Sequence, residues 1–286
     1  MDKVTLGKTG LKISPVVFGG IINMHEKQED ADRYVAYAAE RGVNYFDVAP
    51  QYGDAQERLG PALAPYRSQV YLACKTLERT ADGAKADLLE SLRLLRTDYF
   101  DVYQLHSVNT REDWETIFGP GGVMETVEWA KKEGLIRNAG FSSHNEDISL
   151  ECLAAYDFDS IMFPFNWVMG INIGWGSRIS IAAKAKGCGL LAIKVLIQRH
   201  WREGEKRPYP KSWCKPIYGN DALGVAAMKY AYQAGADALI PPGNFEHFMF
   251  MLDNADISAR EPLTEAEWVM LRAEAEAVRG EMIFNA

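Results

Sequence analysis

Short apolar runs alternate with amphipathic stretches along the whole chain. Runs of strand character fall at 16–19, 45–49, 70–75, 99–106, 137–141, 160–165, 189–196 and 238–240. After them, apolar residues recur at helical spacing over 29–41, 56–62, 80–95, 123–132, 147–156, 178–186, 222–234 and 245–252. Consecutive parallel strands need a crossover, and a helix in each gap supplies one. Eight such units in 286 residues predict an α/β fold, a (β/α)8 TIM barrel, with residues 1–286 expected as a single barrel domain.

The remaining pattern reads as decoration. Residues 4–13 place a Gly-containing turn between two short apolar segments and predict an N-terminal β-hairpin cap over the barrel floor. Residues 264–279 predict a C-terminal extra helix, opened by the capping-box pair Thr264 and Glu267. The connection at 198–220 is too long for a turn and is expected to overhang the active face. Its Trp201 and Trp213 either close over a ligand or pack the loop onto the barrel. Trp114, Trp167, Trp175 and Trp201 are expected to include substrate-facing residues, and 107–122 shows no obvious structure of its own.

Period-two alternation fixes which residues emerge at the strand ends. Tyr45 and Asp47 share one face while Phe46 and Val48 share the other. Tyr71, Ala73 and Lys75 oppose Val70, Leu72 and Cys74, and Phe100, Val102, Gln104 and His106 share a face. Three successive strands therefore end in an acid, an ammonium and an imidazole, with Tyr52 in the loop after the first of them. A buried acid is expensive unless it is paired.

Those four residue types suit one chemistry. Reducing a carbonyl by hydride leaves an alkoxide, so the site must supply a proton and stabilise developing negative charge. Tyr52 would give the proton, with Lys75 as the cation expected to lower its pKa. Asp47 would keep Lys75 charged and fixed in direction. His106 would donate a hydrogen bond to the substrate oxygen.

Composition narrows the partners. A formal charge of −8 and a pI near 5.3 argue against nucleic-acid binding, which needs a basic surface. No apolar stretch reaches membrane length and no signal pattern opens the chain, so no membrane partner is expected. Cys74, Cys152, Cys188 and Cys214 lack metal-site spacing, so no metal and no disulfide framework are expected, and the cytoplasm is the expected compartment.

The segment Asp47-x-x-x-x-Tyr52-Gly53, with Lys75 after the third strand and His106 after the fourth, resembles the aldo-keto reductase family in residue type, order and spacing. The resemblance runs from the N-terminal hairpin past the eighth strand. It implies NADP(H)- or NAD(H)-dependent interconversion of an aldehyde, ketone or keto sugar and its alcohol, with the cofactor extended over the C-terminal face. It further implies cofactor contacts from Gly20, from Ser142 and Ser143 at the nicotinamide carboxamide, and from Asn166. Gly243 and Asn244 fall where members bind the adenine ribose and its phosphate, and Asp253 and Asn254 resemble a Glu-Asn pair that contacts adenine. Lys194 would reach the pyrophosphate, as in a subgroup with Met-Lys-Pro at this point.

Two departures bear on the cofactor. Many NADPH-preferring members carry a Lys and an Arg after the eighth strand, whereas 242–248 here holds neither. Glu246 would repel a 2′-phosphate or accept a hydrogen bond from a free ribose hydroxyl, so the preference stays open. Ile193 stands where many members place a Tyr against the nicotinamide.

Blander readings compete at each position. Asp47 and Lys75 also suit a structural ion pair, Ser143 or Asn145 a helix cap, and Lys194 an ion pair at a strand end. His25, His144, His200 and His247 read as loop or surface residues. For the whole chain the alternatives are a non-catalytic, cofactor-binding subunit and a metal-dependent barrel hydrolase. The latter calls for a His-x-His that the first strand lacks. Oligomeric state is not legible.

Overall fold

The computed structural model describes residues 1–284. Its strands, in chain order, are β1 (Val4–Thr5), β2 (Lys12–Ile13), β3 (Phe18–Gly19), β4 (Tyr45–Asp47), β5 (Tyr71–Thr76), β6 (Phe100–Leu105), β7 (Ile136–Ser142), β8 (Ser160–Pro164), β9 (Gly189–Ile193), β10 (Ile197–His200), β11 (Cys214–Pro216) and β12 (Ala238–Leu239). The helices are α1 (Gln28–Glu40), α2 (Ala55–Leu63), α3 (Ala81–Leu94), α4 (Arg111–Phe118), α5 (Val123–Lys132), α6 (Glu146–Ala155), α7 (Trp167–Ile173), α8 (Ser177–Ala185), α9 (Asp221–Gln233), α10 (Phe245–Asp253), α11 (Ala255–Arg260) and α12 (Glu265–Ala277).

Eight parallel strands pair in the order β12, β9, β8, β7, β6, β5, β4, β3. The sheet then closes on itself: Val17 donates its backbone N–H to Leu239 at 3.0 Å, and Leu239 donates to Pro15 at 2.8 Å. Closure leaves no free edge, and the product is a (β/α)8 barrel.

Two apolar layers result from the alternation. Val17, Tyr45, Ala73, Val102, Met162 and Leu191 fill the interior, while their strand neighbours, such as Phe46, Leu72 and Cys74, join the layer beneath the helices. Phe100 departs from the expected face: it belongs to the outer layer and lies parallel to Tyr103 at 6.0 Å. It pairs with β7 alone, because the β5–β6 ladder begins only at Val102, so the pleat does not yet dictate its direction.

The hairpin β1–β2 plugs the floor, with Leu6, Leu11 and Ile13 completing the interior cluster. The extra helix α12 carries both bonds of its capping box. Stretch 107–122, expected to lack structure, holds α4, capped by Thr110. Residues 198–220 hold an antiparallel ribbon of β10 and β11, braced by Arg199 donating to both oxygens of Glu205 at 2.8 and 2.9 Å. No helix among the described residues is long and apolar enough to cross a membrane.

Candidate active site

β4, β5 and β6 end side by side, so their inward-facing terminal residues converge. Lys75 is fully buried and Asp47 nearly so, and the Lys75 ammonium donates to Asp47 Oδ2. Gln104 Nε2 donates to the other carboxylate oxygen at 2.8 Å. Both oxygens of the acid are thereby satisfied, which is what makes burying it tolerable. Gln104 has the same parity as His106, the signal that places it in this group.

Tyr52 comes over this pair from the loop after β4. Lys75 Nζ lies 5.2 Å from the centre of the Tyr52 ring, and the His106 ring meets that ring edge-on at 5.9 Å. Gln51 Oε1 lies 3.1 Å from His106 Nδ1.

Burial is the largest influence on the Tyr52 pKa and raises it; Lys75 lowers it, as expected, but with Asp47 adding to the rise the net shift is upward, so the phenol holds its proton beyond its ordinary range. Burial opposes the Lys75 charge, but Asp47 and Tyr52 outweigh it and its pKa is raised. Burial, then the Lys75 charge, takes His106 down to about 3. The arrangement is a neutral phenol, a neutral imidazole and a fixed cation.

Asp47, Tyr52 and His106 open onto one cavity at this end of the barrel. Asp47, Tyr52, His106, Ser142, Lys194 and Gly243 all reach its wall. Ser142 Oγ also accepts from Ser107 N–H at 2.8 Å. Lys194 sits in the left-handed region at φ 61°, its ammonium 5.4 Å from the Trp213 ring centre. Burial lowers its pKa, and no carboxylate offsets this. Gly243 is needed for close approach, since a Cβ would lie 2.8 Å from the Lys211 carbonyl oxygen.

The other expected cofactor residues lie off this wall. A Cβ on Gly20 would meet Val48 at 2.8 Å, so that glycine serves packing while Gly19 and Ile21 face the cavity. Ser143 shares hydrogen bonds with Asn145 and Asn109. Asn166 caps α7 and donates to the carbonyls of Lys194 at 2.9 Å and Ile197 at 2.6 Å. Asn244 caps α10. Asp253 pairs with Arg41 at 2.6 Å, and Asn254 donates to Phe250 O.

Of the two readings open for Trp213, the one at a ligand cavity holds, and His144 joins it there. Trp213, rather than Trp114, Trp167, Trp175 or Trp201, lines the cavity; Trp201 instead packs the loop, donating to Ser212 O at 2.8 Å. His144, expected on the surface, also lines it. It lies two residues beyond Ser142, and continuing the strand parity would have found it.

Some of the residues lining a second cavity follow or precede in sequence those lining the first. Segments 211–214 and 240–243 wall the first, while Tyr209, Tyr218, Asp221, Glu246 and Phe250 help wall the second.

Known proteins resemble this chain in sequence and fold. It is 31% identical over 180 residues to the uncharacterized oxidoreductase YqkF of Bacillus subtilis, covering 58% of this chain and 56% of that protein. It is 33% identical over 209 residues to L-galactose dehydrogenase of Arabidopsis thaliana, covering 67% of this chain and 64% of that protein. Both matches span less than two-thirds of the relative's length. The fold matches an aldo-keto reductase of Bacillus halodurans in its holo form, with TM-score 0.70, 23% identity and coverage of 97% and 96%. It also matches a Bombyx mori aldo-keto reductase in complex with NADP, with TM-score 0.68, 18% identity and coverage of 96% and 93%. A model described as the aldo/keto reductase family matches residues 15–211, more than half of the chain, and the chain therefore belongs to that family.

Proposed function

We propose that this chain, as one barrel domain, interconverts a small carbonyl compound and its alcohol with a nicotinamide cofactor, Tyr52 donating the proton. The observation that carries the reading is the meeting of Asp47, Tyr52, Lys75 and His106 at one end of the barrel, where β4, β5 and β6 end around one cavity. The family relationship supports it, as do an oxidoreductase and a sugar dehydrogenase among the relatives.

The residues fit such a cofactor. Lys194 offers a cation without a carboxylate partner to a diphosphate, Ser142 a hydroxyl to a carboxamide, and Gly243 room for close approach. When bound, the cofactor supplies the hydride. Tyr52 gives its proton to the substrate oxygen as negative charge builds there, and its raised pKa keeps that proton available. Lys75, fully buried and 5.2 Å from the Tyr52 ring centre, holds a fixed positive charge next to the phenol as it gives up its proton. Asp47, held by Gln104, positions Lys75. His106 presents Nε2–H to the carbonyl when the Gln51 amide turns its NH2 toward Nδ1.

The second cavity suits the adenosine end of the cofactor. It offers aromatic walls from Tyr209, Tyr218 and Phe250 beside Asp221 and Glu246, with no Lys or Arg on its lining. Lys215, 5.8 Å from the Tyr218 ring centre, is taken by Glu205 at 2.7 Å. A 2′-phosphate would meet two acids there, so NAD(H) is the preferred cofactor.

The test is aldehyde-dependent oxidation of NADH by the wild type and by Tyr52→Phe. Loss of about 100-fold or more in kcat, with cofactor affinity held within about threefold, is expected. Equal loss of both would reject the role of Tyr52. Cofactor binding without turnover of any carbonyl in the wild type would leave the non-catalytic reading.

A further inference from the structure

One polar group on the wall of the first cavity has no role in the chemistry described so far: the imidazole of His144. Its backbone is fixed, since its N–H donates to Asn109 Oδ1 at 2.7 Å. Its ring is fixed by packing: Phe284 lies 5.0 Å away, Phe284 stacks on Trp175 at 5.8 Å, and Trp175 on Phe163 at 5.5 Å. Neither ring nitrogen forms a hydrogen bond with any described residue, whereas His25, His106, His200 and His247 all have polar ring partners. A side chain held so firmly, half-buried and with its nitrogens free, offers a hydrogen bond to whatever enters the cavity.

The neighbouring charges define that offer. Burial, followed by the Lys194 charge, holds His144 down to about 4, and His144 in turn disfavours protonation of His106. Around neutral pH both rings are uncharged, so each carries one N–H donor and one nitrogen acceptor. A hydroxyl, which donates and accepts, matches either end of such a ring; a purely apolar substituent leaves it unpaired.

Building on the reductase reading, we propose that His144 is a specificity-determining residue that hydrogen-bonds a second oxygen of the substrate, so that the preferred carbonyl compounds carry a hydroxyl close to the reacting carbon. The Trp213 indole on the same wall provides a face for the carbon skeleton of such a compound.

The experiment compares kcat and KM for glyceraldehyde and propanal, which share a three-carbon chain, in the wild type and in His144→Phe, whose ring retains the stacking on Phe284. The expected result is a wild-type preference for glyceraldehyde that shrinks about tenfold or more in H144F, chiefly through a raised KM for glyceraldehyde. An unchanged preference, or equal losses on both aldehydes, would overturn the proposal. Should H144F fail to fold, the His144 ring nitrogen resonances of the cofactor-loaded wild type decide: a shift on adding glycerol supports the contact, and no shift overturns it. Turnover of neither aldehyde would instead overturn the reductase reading and take this proposal with it.

Discussion

Lys75 has no exposure to solvent, yet its charge survives chiefly because the Asp47 carboxylate sits beside it. The two histidines of the cavity behave oppositely, burial being the largest influence on each and pulling them from 6.5 to about 3 and about 4. Both bind protons more readily in the unfolded chain, so their contribution to stability is complete above pH 6.5 and is lost as pH falls toward their folded values. Between about pH 6 and 4, stability is expected to fall by up to about 1.4 kcal/mol per pH unit for each histidine, and less steeply in H144F. Urea unfolding across that range measures it; an identical slope in the two proteins would contradict the assignment.

At this scale alternation read well wherever a ladder runs on both sides. It placed Asp47, Lys75 and His106 together because β4, β5 and β6 are continuous and inward-facing at their ends. Just past the ends it says nothing of partners: Ser143 bonds to Asn109 and Asn145, while Asn166 caps α7 and holds the carbonyls of Lys194 and Ile197. Residue type alone does not separate a cofactor contact from a helix cap.

Among the elements, α7 shows why part of the fold was hidden. Trp167–Ile173 is short and largely apolar, so no amphipathic period marks it, and α4 buries only Ile117. Asn166 makes α7 matter to the site, since its side chain starts that helix and also ties down the carbonyls of Lys194 and Ile197 just past β9. Asn166→Ala is expected to cost about 1–3 kcal/mol through a lost cap and unsatisfied carbonyls. Thermal unfolding with a parallel cofactor titration separates the two accounts. Weakened cofactor binding without lost stability would restore Asn166 as a direct contact.

For the molecule as a whole, the barrel was legible because eight strand–helix units leave few other ways to bury both faces of a parallel sheet. The cavities were not, because their walls come from chain segments distant in sequence: strand ends contribute one side, and the β10–β11 region contributes Lys211 and Trp213 on another. Lys211 reaches across to Glu26 at 2.5 Å and to the Ile22 carbonyl at 2.6 Å, a pairing over 185 residues that no local pattern announces. Lys194 lines the first cavity, and Asp221 and Glu246 line the second.

A titration of the purified protein with NADH and with NADPH, followed by tryptophan fluorescence, decides whether this barrel end holds a nicotinamide cofactor. Trp213 lines the first cavity and should report occupancy. Saturable quenching by both is expected, with NADH binding about tenfold or more tightly than NADPH; binding of neither would contradict the reductase reading.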